Sequence, residues 1–235
     1  MADAAKLARN LLKAVNRAVR EFKLIEDGDR IAVGVSGGKD SRVLLDLLVR
    51  GVDIPGTYEV VAVHIDGAGV GLPALDPSLV PWFREVGVEY EIAPLEVPED
   101  ELLPMDCFRC SWNRRKALFF AADRMGCNKV AFGHHADDAA VTTLMSLMYK
   151  GKLETMEPSL DFFSGRFTVI RPLIYVTEGV IARYARARGW VFSPEQACPR
   201  EADARRVHFE QFLATFSAKE RAQFRANLWR VGRNL

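Results

Sequence analysis

The stretch 30-RIAVGVSGGKDSRVLLDLLVRG-51 decides the fold. Its opening, 30-RIAVGVS-36, is short, largely apolar and β-branched, as a buried strand requires. Its end, 42-RVLLDLLVRG-51, has apolar residues at helical spacing and a stopping glycine. Between them lies the loop Ser36, Gly37, Gly38, Lys39, Asp40, Ser41. Two glycines let the backbone turn with positive φ and approach a ligand closely. Serine hydroxyls donate to phosphate oxygens, and the helix N-terminus adds its dipole. Lys39 is a mobile positive charge. Asp40 repels phosphate but can hold Mg²⁺ that bridges phosphates. A glycine-rich connection with a helix cap accounts for the glycines. It does not explain why Lys, Asp and two serines share one loop. The pattern is neither G-x-x-x-x-G-K-[ST] nor G-x-G-x-x-G.

Outward from this loop, strands and helices alternate. Leu7, Leu11, Val15, Ala18, Phe22 and Ile25 predict an amphipathic first helix, with 26-EDGD-29 as the turn after it. Strands are predicted at 58–66, 88–94, 128–135 and 166–173, and helices at 77–86, 111–126, 137–151 and 177–189, with helical segments beyond 201. Such alternation predicts an α/β, Rossmann-like parallel sheet with helices on both faces. Ligands of such sheets bind beyond the carboxyl ends of the strands. The 36–41 loop, Asp66 and 133-GHHADD-138 all fall at predicted strand ends, so they should open onto one rim. The chain is read as a helix over 1–27, a phosphate-loop domain over 28–198 and a basic helical extension over 199–235.

The 235 residues are 49% hydrophobic, enough for a sizeable core. No run of about 18 apolar residues occurs, so no membrane span is expected. Net charge is +1 but unevenly spread: both ends are basic and the middle is acidic. A polyanion held by the two ends is one reading, and solvated helix faces are the plainer one.

Four cysteines, Cys107, Cys110, Cys127 and Cys198, are too few for a disulfide scaffold of this length, and a reducing cytoplasm is the expected home. In 105-MDCFRCSWNRR-115 two of them lie three positions apart. By their spacing alone they could be a disulfide, a redox pair, a zinc clip, part of an iron–sulfur site or core residues. His134 and His135 are adjacent at a strand end and point to opposite faces, so one can reach a site while the other packs. His64 and His208 are read as structural.

The 36-SGGKDS-41 loop resembles the SGGxDS pyrophosphate loop of the ATP-pyrophosphatase superfamily, whose fold is called PP-loop or adenine nucleotide alpha hydrolase-like. Those enzymes cleave ATP between the α- and β-phosphates and adenylate an oxygen of the substrate. The ordered series F-K-L-I-E-D-G-D-R-I, S-G-G-K-D-S, C-F-R-C-S-W-N-R-R, G-H-H-A-D-D, V-I-R-P-L-I-Y-V and a lone Cys198 resembles the tRNA 2-thiocytidine synthetase family. The resemblance runs over nearly the whole chain. Around Cys198 the chain reads Q-A-C-P-R-E where the family reads N-L-C-G-S-Q.

That resemblance implies a sulfurtransferase that adenylates a base carbonyl, C2 of a tRNA cytidine, and replaces its oxygen by sulfur. It implies that Cys107, Cys110 and Cys198 ligate a 4Fe–4S cluster with one iron left open for sulfide, while Cys127 stays outside. Arg114 and Arg115 would steady negative charge on the neighbouring sulfurs and contact ATP or RNA phosphates. Asp66 would meet the adenosine. Asp137 would serve catalysis through the substrate or Mg²⁺, although a helix cap is its plainer role. ATP and Mg²⁺ are the further cofactors. The implied partners are tRNA and a sulfur donor, either a cysteine desulfurase or sulfide, with a possible homodimer. The rivals are a thiolation enzyme for another base or small molecule, a persulfide at Cys107 or Cys110 without a cluster, and a zinc-stabilised nucleotide-binding protein without turnover.

Overall fold

A computed structural model describes residues 2–192 and 205–233. Eight helices surround one six-stranded sheet in these residues. The order along the chain is α1 (Ala2–Phe22), β1 (Arg30–Gly34), α2 (Lys39–Val49), β2 (Glu59–Asp66), α3 (Leu79–Val86), β3 (Glu89–Pro94) and α4 (Cys107–Arg124). Then follow β4 (Lys129–Ala131), α5 (Ala136–Lys150), β5 (Ser159–Phe162), β6 (Phe167–Ile170), α6 (Glu178–Ala187), α7 (Arg205–Ala214) and α8 (Ala218–Arg233). Among the described residues no helix is long and apolar enough to cross a membrane.

The strands lie in the order β3-β2-β1-β4-β6-β5. The first five run parallel, as the alternation of elements predicts. Chain order reverses between β1 and β4, where Val33 faces Ala62 on one side and Ala131 on the other. The connections after β1 and β4 diverge to opposite halves of the sheet, which opens a crevice between their carboxyl ends. The phosphate loop follows β1 and the G-H-H-A-D-D segment follows β4, so both flank this crevice.

The two faces of the sheet carry separate cores. Ile31, Val33 and Ala62 point towards α1, α2 and α6, packing with Leu11, Val15, Leu44, Ile181 and Tyr184. Ala32, Val61, Val63 and Val130 point the other way, towards Leu118, Phe119 and Ala122 of α4. The switch between neighbours follows from the period-two geometry of a strand. Helix α1 belongs to the first core, since Ala8, Leu11, Val15 and Ala18 are all buried there.

Several boundaries differ from the expectation, β4 and β6 being shorter than the expected 128–135 and 166–173, and three differences bear on the architecture or the site. An antiparallel strand, β5, borders β6 as the sheet edge. It is only four residues long and buries neither Leu160 nor Asp161, so it has no alternation to reveal it. Helix α2 begins at Lys39, which puts Lys39, Asp40 and Ser41 in its first turn. Helix α4 begins at Cys107, four residues before the expected start. The Asp106 side chain accepts a hydrogen bond from the Arg109 backbone N–H at 2.8 Å and caps the helix. Both Cys107 and Cys110 therefore lie on a rigid helical turn.

Candidate active site

The phosphate loop is organised by its own serines. Ser41 Oγ accepts from the Ser36 backbone N–H at 3.2 Å and donates to the Gly38 carbonyl at 3.0 Å. Gly37 has φ of 92°, a conformation that a side chain would strain. Arg42 is buried one turn into α2, and its Nε donates to the Gly37 carbonyl at 3.1 Å. Its guanidinium also binds Ser78 Oγ at 2.9 Å and the Asp76 carboxylate. The loop is thus held from behind. The Lys39 ammonium lies 3.0 Å from Glu178 and 3.3 Å from Asp40. Burial pulls its pKa down, but Asp40 and Glu178 outweigh that and hold it above the ordinary value.

Asp40 Oδ1 is buried and accepts no hydrogen bond among the described residues. It lies 3.7 Å from His135 Nε2. A buried carboxylate oxygen without a donor, beside a phosphate-binding turn, suits a divalent cation that takes its other ligands from the phosphates. His135 is buried and caps α5, where its backbone N–H donates to Asp138 at 2.6 Å. His134 turns instead into the crevice, so one histidine reaches the site and the other packs. Burial, then the nearby Arg171 and Arg206, push the His134 imidazole down to about 3. It is neutral throughout the physiological range, and its Nδ1 is buried without a partner.

One cavity of about 600 Å³ connects the loop to the cysteines. Ser36, Asp40 and Ser41 line one end, and Cys107, Cys110, Arg114 and Arg115 line the other. Cys107 is exposed at the mouth. Of the remaining expected residues, Gly37, Gly38, Lys39 and Asp66 do not form the cavity wall, although Ser36, Asp40 and Ile65 beside them do. Asp66 ends β2 and accepts from the Ala68 N–H at 3.0 Å, between Ile65 and Val70, which do line the cavity. Asp137 is turned away: its carboxylate accepts from the Glu178 backbone N–H and from Arg225 Nη1, both at 2.8 Å. Cys198 lies outside the described residues. Cys127 is fully buried just before β4, at the far end of that strand from the cavity. Burial pushes its thiol up to about 11.

Among the described residues no group of three His, Cys, Asp or Glu side chains is placed to hold a metal. What the described residues provide is two cysteine thiols one helical turn apart, facing a cavity with three arginines. The third arginine, Arg171, is not anticipated from sequence. It follows β6 directly, at the carboxyl end of a parallel strand, and that position was the signal for it. Its guanidinium donates to the Glu157 carbonyl, and its Nε is buried without a partner. Burial and the charge of Arg115 pull it down to about 10.

No protein-family model matches the chain. Curated relatives do. The tRNA-cytidine(32) 2-sulfurtransferase of an Anaeromyxobacter species is 41% identical over 226 residues, covering 92% of this chain and 73% of the relative. The enzyme of the same name from Delftia acidovorans is 36% identical over 226 residues, covering 92% and 71%. The chain belongs to the tRNA-cytidine(32) 2-sulfurtransferase family. The U34-tRNA thiolase NcsA of Methanococcus maripaludis, solved with its 4Fe–4S cluster, shares the fold, with a TM-score of 0.71 over 97% of this chain and 80% of that one at 21% identity.

In this member of the 2-sulfurtransferase family, Gly133 lets the β4–α5 connection touch the phosphate loop. A Cβ there would stand 3.0 Å from the Asp40 carbonyl carbon and the Ser41 nitrogen. Both are backbone atoms of the loop and cannot swing aside. Gly133→Ala is therefore expected to displace the loop by a few tenths of an ångström and lower ATP turnover by roughly tenfold, on the scale at which small misplacements cost rate. Steady-state AMP release measures it, with the thermal midpoint as the control for folding.

Proposed function

We propose that this chain catalyses ATP-dependent thiolation of a tRNA cytidine at C2, the base carbon named by its relatives. The observation that carries the reading is the single cavity joining the phosphate loop to Cys107 and Cys110. Adenylation and sulfur transfer act on the same carbon–oxygen bond, so they need one chamber. Ser36, Ser41 and the N–H groups of the α2 amino terminus hold the β- and γ-phosphates. Lys39 adds positive charge, and Asp40 holds Mg²⁺ against the phosphates. Asp66 lies where the adenosine would rest. Asp137 supports this end indirectly, tying α6 and Arg225 to the turn that carries His135.

The base oxygen attacks the α-phosphorus and pyrophosphate leaves. Arg114, Arg115 and Arg171 hold the charge of the adenylate phosphate. Sulfur then bonds to the base carbon, the carbon–oxygen bond breaks, and AMP departs with the oxygen. Cys107 and Cys110, with Cys198, would hold a 4Fe–4S cluster. Such a cluster would supply an iron site with affinity for sulfur. A cysteine desulfurase or sulfide provides the sulfur, in the cytoplasm, and the enzyme works as a homodimer.

The test is anaerobic incubation with tRNA, ATP, Mg²⁺ and sulfide, followed by nucleoside mass spectrometry. One AMP and one pyrophosphate should form for each thiocytidine, and a tRNA with uridine at the target position should give neither. AMP formation that ignores RNA would reject the reading.

A further inference from the structure

Helix α4 presents a second surface that the chemistry of the cavity does not use. Phe108, Trp112, Lys116 and Phe120 recur every four residues, so they form one stripe winding up the outside of the helix. The three rings are 74%, 58% and 56% exposed. Among the described residues no other ring packs on Phe108, Trp112 or Phe120, while Lys116 lies 5.8 Å from the Phe120 ring. The chain's other tryptophans are covered: Trp82 packs on Trp190, and Trp229 on Phe22 and Tyr175. Contiguous exposed aromatics of this kind mark an interaction surface.

We infer that this stripe is a stacking platform for unpaired bases that flank the reacting nucleotide of the RNA. The inference rests on the tRNA reading above. Three features favour RNA as the occupant. The stripe begins at Phe108, between Cys107 and Cys110, so it starts at the mouth through which a base enters. It spans about 18 Å from Phe108 to Phe120 at the helical rise, room for several splayed nucleotides. Among the described residues Arg114, Arg115 and Lys116 of α4 form no ion pair, while Arg109 pairs with Glu101 and Arg124 with Glu91. The neighbouring acids are engaged, since Glu101 pairs with Arg109 at 2.5 Å and Asp106 caps the helix. Aromatic rings with cations between them suit bases joined by phosphates.

The experiment uses the full chain and two RNAs, a hairpin with an unpaired loop and a fully paired duplex. The part of the tryptophan fluorescence that Trp112→Phe removes is expected to be quenched by the hairpin and not by the duplex. Phe108→Ala/Trp112→Ala should weaken hairpin binding about tenfold or more, as loss of stacked bases does, with an unchanged salt slope. Trp112→Phe should retain most of the affinity. Lys116→Ala should instead lower the salt slope by about one. Wild-type affinity in the double variant, with RNA-dependent AMP release intact, overturns the platform and leaves the thiolation reading standing. A dimer that dissociates in the double variant while hairpin affinity is unchanged assigns the stripe to a second copy and also overturns it. A wild-type chain that binds no RNA removes both readings.

Discussion

Cys107→Ala is expected to bring RNA thiolation to background while ATP still binds the phosphate loop. Cys107 sits on the first turn of α4, at the opposite end of the cavity from Ser36 and Ser41. Its removal leaves the loop contacts of Ser41 and Arg42 untouched, because those come from α2 itself. Even residues that only support metal ligands cost about 10- to 100-fold when lost, so if Cys107 is a cluster ligand as proposed, its loss should exceed that range. Cys107→Ser should fail similarly, since a hydroxyl is a poor partner for a soft metal site. Cys127→Ala is the matched control, with activity retained, because that thiol is sealed in the core. Nucleoside mass spectrometry reads the product, and equilibrium ATP binding reads the loop. Thiolation at the wild-type rate by Cys107→Ala would remove the cysteines from the reaction.

The largest effect on stability is expected at the other end of the sheet. Lys129 opens β4 with its side chain only 7% exposed, and its ammonium lies 2.7 Å from Asp29, itself 6% exposed. Lys129 also donates to the Leu24 carbonyl at 3.0 Å. Asp29 further accepts from the Glu26 backbone N–H at 2.6 Å and from Asn128 Nδ2 at 2.7 Å. Asp29→Ala would take the 2.7 Å partner from a buried ammonium, leaving it Glu26 at 3.5 Å and the Leu24 carbonyl, and would strand two donors, so the expected loss is about 3 kcal/mol. Removing the second charge as well, in Asp29→Ala/Lys129→Met, should recover most of that loss. Urea unfolding of the single and double variants measures it. A single variant within about 1 kcal/mol of wild type would show that water reaches Lys129 and that the pair is worth no more than a surface one.

Much of the site was legible because it is local. The phosphate loop is six consecutive residues whose function depends on their own backbone and on the helix that follows. The cysteine pair is likewise contained within one helical turn. Boundaries were less legible where a single side chain settles them. Asp106 moves the start of α4 back to Cys107 by capping it, which places both sulfurs on a rigid element rather than in a loop. The edge strand β5 escaped because a half-exposed strand of four residues carries no periodic signal.

By itself, then, the amino-acid sequence determined the strand–helix alternation, the phosphate loop and the family resemblance, since each is written in neighbouring residues and in the order of motifs. Only the tertiary structure decided what faces what. Arg171, at the end of β6, joins Arg115 of helix α4, and Asp29 meets Lys129 across 100 positions of chain. The aromatic residues of α4 illustrate the same point. Helical spacing puts Phe108, Trp112 and Phe120 on one stripe, but exposure depends on whether another element packs over them. Phe119 is buried against Phe162 and Phe167, while Phe120 beside it is left in solvent. Burial is a property of all the elements together, because each face of a helix is covered or left open by segments distant in sequence.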